Sequence, residues 1–182
     1  MSSSDAPLGA LSRRALLALA LTGLAAACGF TPVYGPAGVA RGLSGQIAID
    51  APRDEAGYLL VRTLEERLGR APSAAPYRLS AKIALQEEGL GITREREITR
   101  IRLVGTLDYT LSETGTNTVL QTGTVTNFTS YSAPVFGADR RSIAGNPVTI
   151  RAAERDALSR LMTILADQLT SRLLASAGEW QG

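Results

Sequence analysis

The chain has 182 residues, 45% of them hydrophobic, which is enough for one folded core plus additional segments. Its 19 basic and 17 acidic residues leave a formal net charge of +2, too even a balance for a general nucleic-acid binder. There is no histidine and a single cysteine, which excludes a Ser-His-Asp triad, a Cys-His dyad, a histidine-bound metal, an internal disulfide and a thiolate metal cluster.

The first segment reads as an export signal. Arg13 and Arg14 precede a short apolar run over residues 15–27. As a helix this run reaches about 20 Å, short of a hydrocarbon core of about 30 Å. A basic flank, a short apolar stretch and small residues before a cut describe a secretory signal peptide. A buried core helix fits less well at an N-terminus that ends in alanines. Residues 1–27 are therefore expected to be removed on export.

Cys28 follows directly. Three readings compete: a buried core thiol, a reactive nucleophile, or an attachment point. No histidine stands ready to activate it, and an exported free thiol is open to oxidation. The stretch "AAAC" at 25–28 resembles the lipobox of bacterial lipoproteins, with Ala25 where leucine is preferred. That resemblance implies cleavage before Cys28, a diacylglycerol thioether on its sulfur and usually an amide-linked acyl chain. Each buried CH₂ contributes about 0.8 kcal/mol, so two or more chains anchor stably where one does not. Gly29 at the next position, by resemblance to lipoprotein sorting rules, points to the outer membrane. The stretch "SRRALL" at 12–17 resembles a twin-arginine export signal, although two arginines are also ordinary charges of a signal peptide.

Residues 28–45 hold Gly29, Gly35, Gly38, Gly42, Gly45, Pro32 and Pro36, a composition that disfavours a regular element and suits a lipidated tether. A short strand is expected over 46–50. Residues 53–70 read as a helix: Asp54 can cap it, and Leu60, Val61, Leu64 and Leu68 form a stripe at 3–4 spacing before Gly69 and Pro72. Residues 77–86 alternate, with Tyr77, Leu79, Ala81, Ile83 and Leu85 on one face. A polar turn is expected over 87–97.

A long strand over 98–113 places Ile101, Leu103, Leu107, Tyr109 and Leu111 inward and Arg100, Arg102, Thr106, Asp108 and Thr110 outward. Gly105 marks a bend or a close approach. Residues 113–117 form a hairpin turn, and a strand returns over 118–133. Its alternation slips between Val125 and Phe128, which predicts a bulge near Asn127. A loop follows over 134–149. Residues 150–177 form a long amphipathic helix with Ile150, Ala153, Ala157, Leu161, Ile164, Leu165, Leu169 and Leu173 buried. The tail 178–182 is expected to fray.

The order β-α-β-β-β-α predicts an α+β fold: two helices packed on one face of a four-stranded mixed sheet, forming one domain over 46–177. The strands flanking the first helix can pair in parallel through a right-handed crossover, and the last three form an antiparallel meander.

Two arginine groups are candidates for binding. Arg94, Arg96, Arg100 and Arg102 share one face at strand spacing, with Glu95 and Glu97 between the first three. Guanidinium groups suit phosphate, but a solvated strand face neutralised by its own glutamates has the same pattern. Arg140 and Arg141 sit in the loop and either touch a partner or remain solvated. Outward threonines (Thr106, Thr110, Thr122 and Thr124) suit a polar interface or plain solvent.

The stretch "CGFTPVYG" after the lipobox resembles the start of the LptE family of lipopolysaccharide-assembly lipoproteins. The resemblance continues in "APRDEAGYLLVRTLEERLG", "EEGLGITREREITRIRLVGTLDYTL", "GTVTNFTSYS" and "AERDALSRLMTILADQL", in the order seen in alphaproteobacterial members. It implies a lipid-anchored protein on the periplasmic side of the outer membrane. There it would be partner and plug of the LptD β-barrel, assisting barrel assembly and lipopolysaccharide transfer to the cell surface. It implies lipopolysaccharide contact through basic residues and neither catalysis nor a cofactor. The competing reading is a periplasm-facing lipid- or cell-wall-binding lipoprotein without a barrel partner. A membrane-anchored hydrolase lacks a nucleophile motif.

Overall fold

The computed structural model describes Gly38 and residues 42–92, 98–132 and 147–180. The elements run β1 (Ile47–Ile49), α1 (Glu55–Leu68), β2 (Tyr77–Ile92), β3 (Ile98–Glu113), β4 (Val119–Ser132) and α2 (Pro147–Trp180). The four strands form one sheet in the order β1-β2-β3-β4. β1 pairs with β2 in parallel, and β2-β3 and β3-β4 are antiparallel. The expected α+β architecture and element order therefore hold.

Local chemistry sets the helix ends. Asp54 adopts an extended backbone, and its Oδ1 accepts from the Gly57 N–H at 2.7 Å, which satisfies one free donor of the first turn of α1. Glu55 adds negative charge at the positive end of the dipole. Gly69 closes the helix at φ 79°, where a side chain is strained, and a Cβ there would lie 2.8 Å from Ser44 Oγ. The Gly45 N–H donates to the Leu68 carbonyl at 2.8 Å, so the segment before β1 caps the C-terminus of α1.

One face of the sheet carries the core. Leu79, Leu103, Leu107, Tyr109, Leu111 and Val125 point from it and meet Leu60 and Leu64 of α1 and Leu161, Leu165, Leu169 and Leu173 of α2. α2 packs on α1, β4 and β3 at once, so its buried stripe is wider than a single seam. Met162, Ala166, Leu174 and Ala177 are buried along with the predicted leucines. Each fully buried leucine contributes about 2 kcal/mol in area removed from water.

At Gly105 the helix comes close. A Cβ on this residue would lie 2.9 Å from Leu165 Cδ1 and 3.0 Å from Leu161 Cδ2, which is the reason for glycine in mid-strand. At Gly123 the cross-strand Tyr109 ring takes the place of a side chain, its hydroxyl 2.8 Å from where a Cβ would be.

Several boundaries and one irregularity differ from the sequence-based expectation. β2 runs on to Ile92, into the segment expected as a turn. α2 begins at Pro147, where a missing N–H costs nothing in a first turn, and so takes in residues expected as loop. It continues to Trp180, past the point where fraying was expected. The Trp180 ring meets Tyr77 edge-on at 5.1 Å, and its Nε1 donates to Ser176 Oγ at 3.3 Å.

The bulge is not near Asn127. Gly105 pairs with Asn127 and Val104 with Phe128 in unbroken register. The irregularity falls between Leu111, which faces Gln121, and Ser112, which faces Val119, leaving Leu120 as the extra residue. Phe128 follows the alternation and points outward, 51% exposed. The predicted turn at 113–117 is present, closed by Asn117 at φ 56° and by the Asn117 N–H donating to the Glu113 carbonyl at 2.9 Å.

Candidate interaction face

The second sheet face has no helix on it among the described residues. Cross-strand register arranges its side chains in rows: Ser80, Thr110 and Thr122; Lys82, Asp108 and Thr124; Ala84, Thr106 and Thr126; Gln86, Val104 and Phe128; Glu88, Arg102 and Ser130; Leu90, Arg100 and Ser132. The threonines line β3 and β4 at one end and the arginines lie at the other. Thr124 Oγ1 donates to Asp108 Oδ1 at 2.6 Å, and Thr126 Oγ1 lies 3.5 Å from Thr106 Oγ1. The hydroxyls are thus tied into cross-strand pairs with lone pairs left for an outside donor.

Arg100 is exposed, and its Nε donates to Ser130 Oγ at 3.1 Å. Arg102, one row along, lies with its guanidinium carbon 3.8 Å from the centroid of the Phe128 ring and its NH1 3.6 Å from Glu88 Oε2. Its Nε is buried without a hydrogen-bond partner. Stacking on an aromatic ring holds the planar group flat, with NH1 turned to Glu88. The expectation that Arg100 and Arg102 share a face is met. Arg94, Arg96, Arg140, Arg141 and Cys28 lie outside the described residues.

Sequence reasoning missed Phe128 and Glu88 as partners of Arg102. The signal was the alternation itself: with Val125 inward, residue 128 must face outward. The apolar identity of Phe128 suggested a slip in the pattern instead.

On the helix-covered face, Tyr131 lies in one row with Ile101 and Gly89. Its hydroxyl donates to Glu87 Oε1 at 3.2 Å. Burial, and then the Glu87 charge, push its pKa up from 10.0 to about 12. The raised value means that its contribution to stability is fully present below pH 10 and is lost as the pH rises towards 12. In an ultraviolet absorbance titration, a phenol step near pH 12 should belong to Tyr131, and Tyr131→Phe should remove it. An unchanged titration would contradict the burial of the phenol.

Among the described residues, no cluster of three or more acidic, cysteine or histidine groups could hold a metal ion. No described helix is long and apolar enough to cross a membrane. The family model for LptE, described as lipopolysaccharide-assembly, matches residues 44–173, well over half of the chain.

The chain belongs to the LptE family.

No curated protein sequence matches it. Among solved structures it is similar to a putative lipoprotein from Caulobacter crescentus, at 22% identity and a TM-score of 0.60, covering 78% of this chain and 96% of that one. The rare lipoprotein B from Shewanella oneidensis gives 11% identity and a TM-score of 0.52, over 75% of this chain and 98% of that one. A minor lipoprotein from Acinetobacter baumannii gives 17% identity and a TM-score of 0.50, over 74% and 94%. At these identities the likenesses speak for the fold. The LptE match makes the chain a lipopolysaccharide-assembly lipoprotein of the bacterial envelope, in a family of assembly rather than catalysis.

Proposed function

We propose that this LptE-family chain is anchored through Cys28 to the periplasmic side of the outer membrane and serves as partner and plug of an LptD-type β-barrel. In that role it assists barrel assembly and the transfer of lipopolysaccharide to the cell surface. The observation that carries the reading is the family match over 44–173. The sheet face that no described helix covers supports it: barrel interiors are polar, and a face rich in threonine hydroxyls and charges of both signs can meet such a wall by hydrogen bonding. Purification of the lipidated full-length chain in mild detergent should bring down a large outer-membrane β-barrel in stoichiometric amount. Its absence would overturn the reading in favour of a lipoprotein that binds lipid or cell wall alone.

Within this reading Arg100 and Arg102, continued by Arg94 and Arg96, contact the phosphates of lipopolysaccharide, and Arg140 and Arg141 are further contacts. A charge-assisted hydrogen bond contributes about 1.5–3 kcal/mol, so Arg100→Glu should weaken lipopolysaccharide binding by about tenfold or more. Charge reversal at Arg94 and Arg96 should act in the same direction. Lys82→Glu, at the threonine end of the face, should leave binding near its starting value. Equal binding by all of these variants would remove the arginines from the contact.

A further inference from the structure

The two outer edges of the sheet differ. On β4 the outward backbone groups belong to even-numbered residues, and side chains take up three of them. Arg172 NH1 donates to the Thr124 carbonyl at 2.6 Å, Arg160 NH2 lies 3.4 Å from the Ser130 carbonyl, and Asn127 Oδ1 accepts from the Phe128 N–H at 2.7 Å. These contacts obstruct the pairing of another strand along residues 124–130.

On β2 the outward groups belong to odd-numbered residues. The Tyr77 N–H donates to the Gln46 carbonyl at 3.2 Å, and the Leu79 carbonyl accepts from the Asp50 N–H at 3.0 Å. There β1 ends, after three residues, beside a strand of sixteen. Pro52 follows, and the chain turns away into α1. By strand alternation, the N–H and C=O groups of Ala81, Ile83, Leu85 and Glu87 point from the edge, and no described segment pairs with them.

A cleft of about 700 Å³ opens beside the start of this free edge, with Leu60 and Val61 of α1 on one wall and Ala81 and Ile83 on the other. Arg53, Arg78 and Lys82 line it together with Asp50 and Asp54, and since Arg78 pairs with Asp50 at 2.6 Å the lining keeps a small positive excess. Farther along, Leu85 is 44% exposed. The edge thus offers a row of backbone donors and acceptors, an apolar seat for alternate side chains and positive charge at one end. A strand added to a sheet is recognised by these features.

We propose that the free edge of β2 from Ala81 to Glu87 accepts an extended strand of another polypeptide, with apolar residues at alternate positions and an acidic residue facing Lys82. The added strand continues the line of β1 where β1 stops, and one of its apolar side chains fills the cleft between α1 and β2. A second copy of the chain is a poorer occupant. Antiparallel pairing of two β2 edges about Leu85 sets Gly89 of each against Ala81 of the other. The next residues of each strand would then run into the exit of β1 at Asp50 and Ala51. The site lies on the edge of the sheet rather than its open face, so failure here leaves the barrel reading untouched, and the reverse also holds.

The test is residue-resolved amide hydrogen exchange on the full mature chain, alone and with a synthetic peptide of about ten residues, the upper range of a natural strand. The peptide alternates valine and threonine and carries one aspartate. A second peptide, N-methylated at every other amide, is the control. In the free protein the Lys82, Ala84 and Gln86 amides, which face β3, should exchange slowly, while those of Ala81, Ile83, Leu85 and Glu87 exchange fast. The first peptide should slow the fast set by about tenfold or more, and the N-methylated one should not.

Leu85→Pro removes an outward N–H together with one apolar side chain of the seat, and proline is tolerated on an edge strand. It should keep the fold, seen as unchanged far-ultraviolet circular dichroism, and lose the protection. Three results would overturn the proposal. Slow exchange of the odd-numbered amides in the free monomer would mean that the chain covers its own edge. Protection that grows with protein concentration would mean a second copy. No protection at about 1 mM peptide, or equal protection by the N-methylated peptide, would mean that no strand is added.

Discussion

Leu165→Ala is expected to lower the unfolding free energy by about 3 kcal/mol, within the range of 2–5 kcal/mol for truncating a buried leucine. Leu165 is completely buried in the core cluster and lies on the side of α2 that approaches β3 at Gly105. Strand backbone on one side and helix on the other limit collapse around the lost methyl groups, which favours a residual cavity. Domains of this size are stable by about 5–15 kcal/mol, so the effect is a large fraction of the total. Urea denaturation should show a lower midpoint with an unchanged slope. A loss below about 1 kcal/mol would mean that α2 does not lock onto the sheet here.

Gly105→Val tests the same contact from the other side. Valine suits a strand better than glycine, so propensity alone predicts stabilisation. Packing predicts the opposite. The new Cβ would meet Leu165 Cδ1 at 2.9 Å and Leu161 Cδ2 at 3.0 Å, and neither leucine has solvent to swing into. Overpacking of this kind costs about 1–3 kcal/mol, which exceeds the strand preference. Adding Leu161→Ala should recover part of the loss, because residues in contact couple by about 0.5–3 kcal/mol. Strict additivity of the two changes would show that they do not touch.

The sequence made β3 legible because one of its faces is buried along nearly its whole length. Ile101, Leu103, Leu107, Tyr109 and Leu111 keep a period of two interrupted at Gly105, and a one-residue slip would expose all of them. β2 was legible only as far as its alternation lasted. Beyond Gln86 it has a glutamate pair, a leucine and two glycines, and its strand conformation there comes from pairing with β3 rather than from its own pattern. The predicted stripe on α2 captured Ala157, Leu161, Leu165, Leu169 and Leu173. It missed Met162, Ala166, Leu174 and Ala177 because a helix wedged against both a sheet and a second helix is buried over a broader arc than an amphipathic pattern implies.

At the candidate site, the shared face of Arg100 and Arg102 could be read from spacing. The stacking of Arg102 on Phe128 could not, because it depends on the register between β3 and β4. That register is in turn fixed by where the extra residue at Leu120 falls, at the turn end of the hairpin. The uneven edges were also out of reach. Nothing in the sequence near Thr124 or Ser130 indicates that arginines 48 and 30 residues away will occupy their carbonyls.

Those two arginines impose an order on the chain's biogenesis. Both sit on α2, which follows β4 in the chain. From the time β4 is complete until α2 docks, the sheet has both flanks open, and the half-finished chain is a strand template on each side. A product that stops short of Arg160 would contain all four strands yet lack both the α2 side of the core and the cover on β4. Such a fragment should form fibrous or amorphous aggregates where the full-length chain stays dispersed. Docking of α2 thus completes the core and also shields part of the β4 edge.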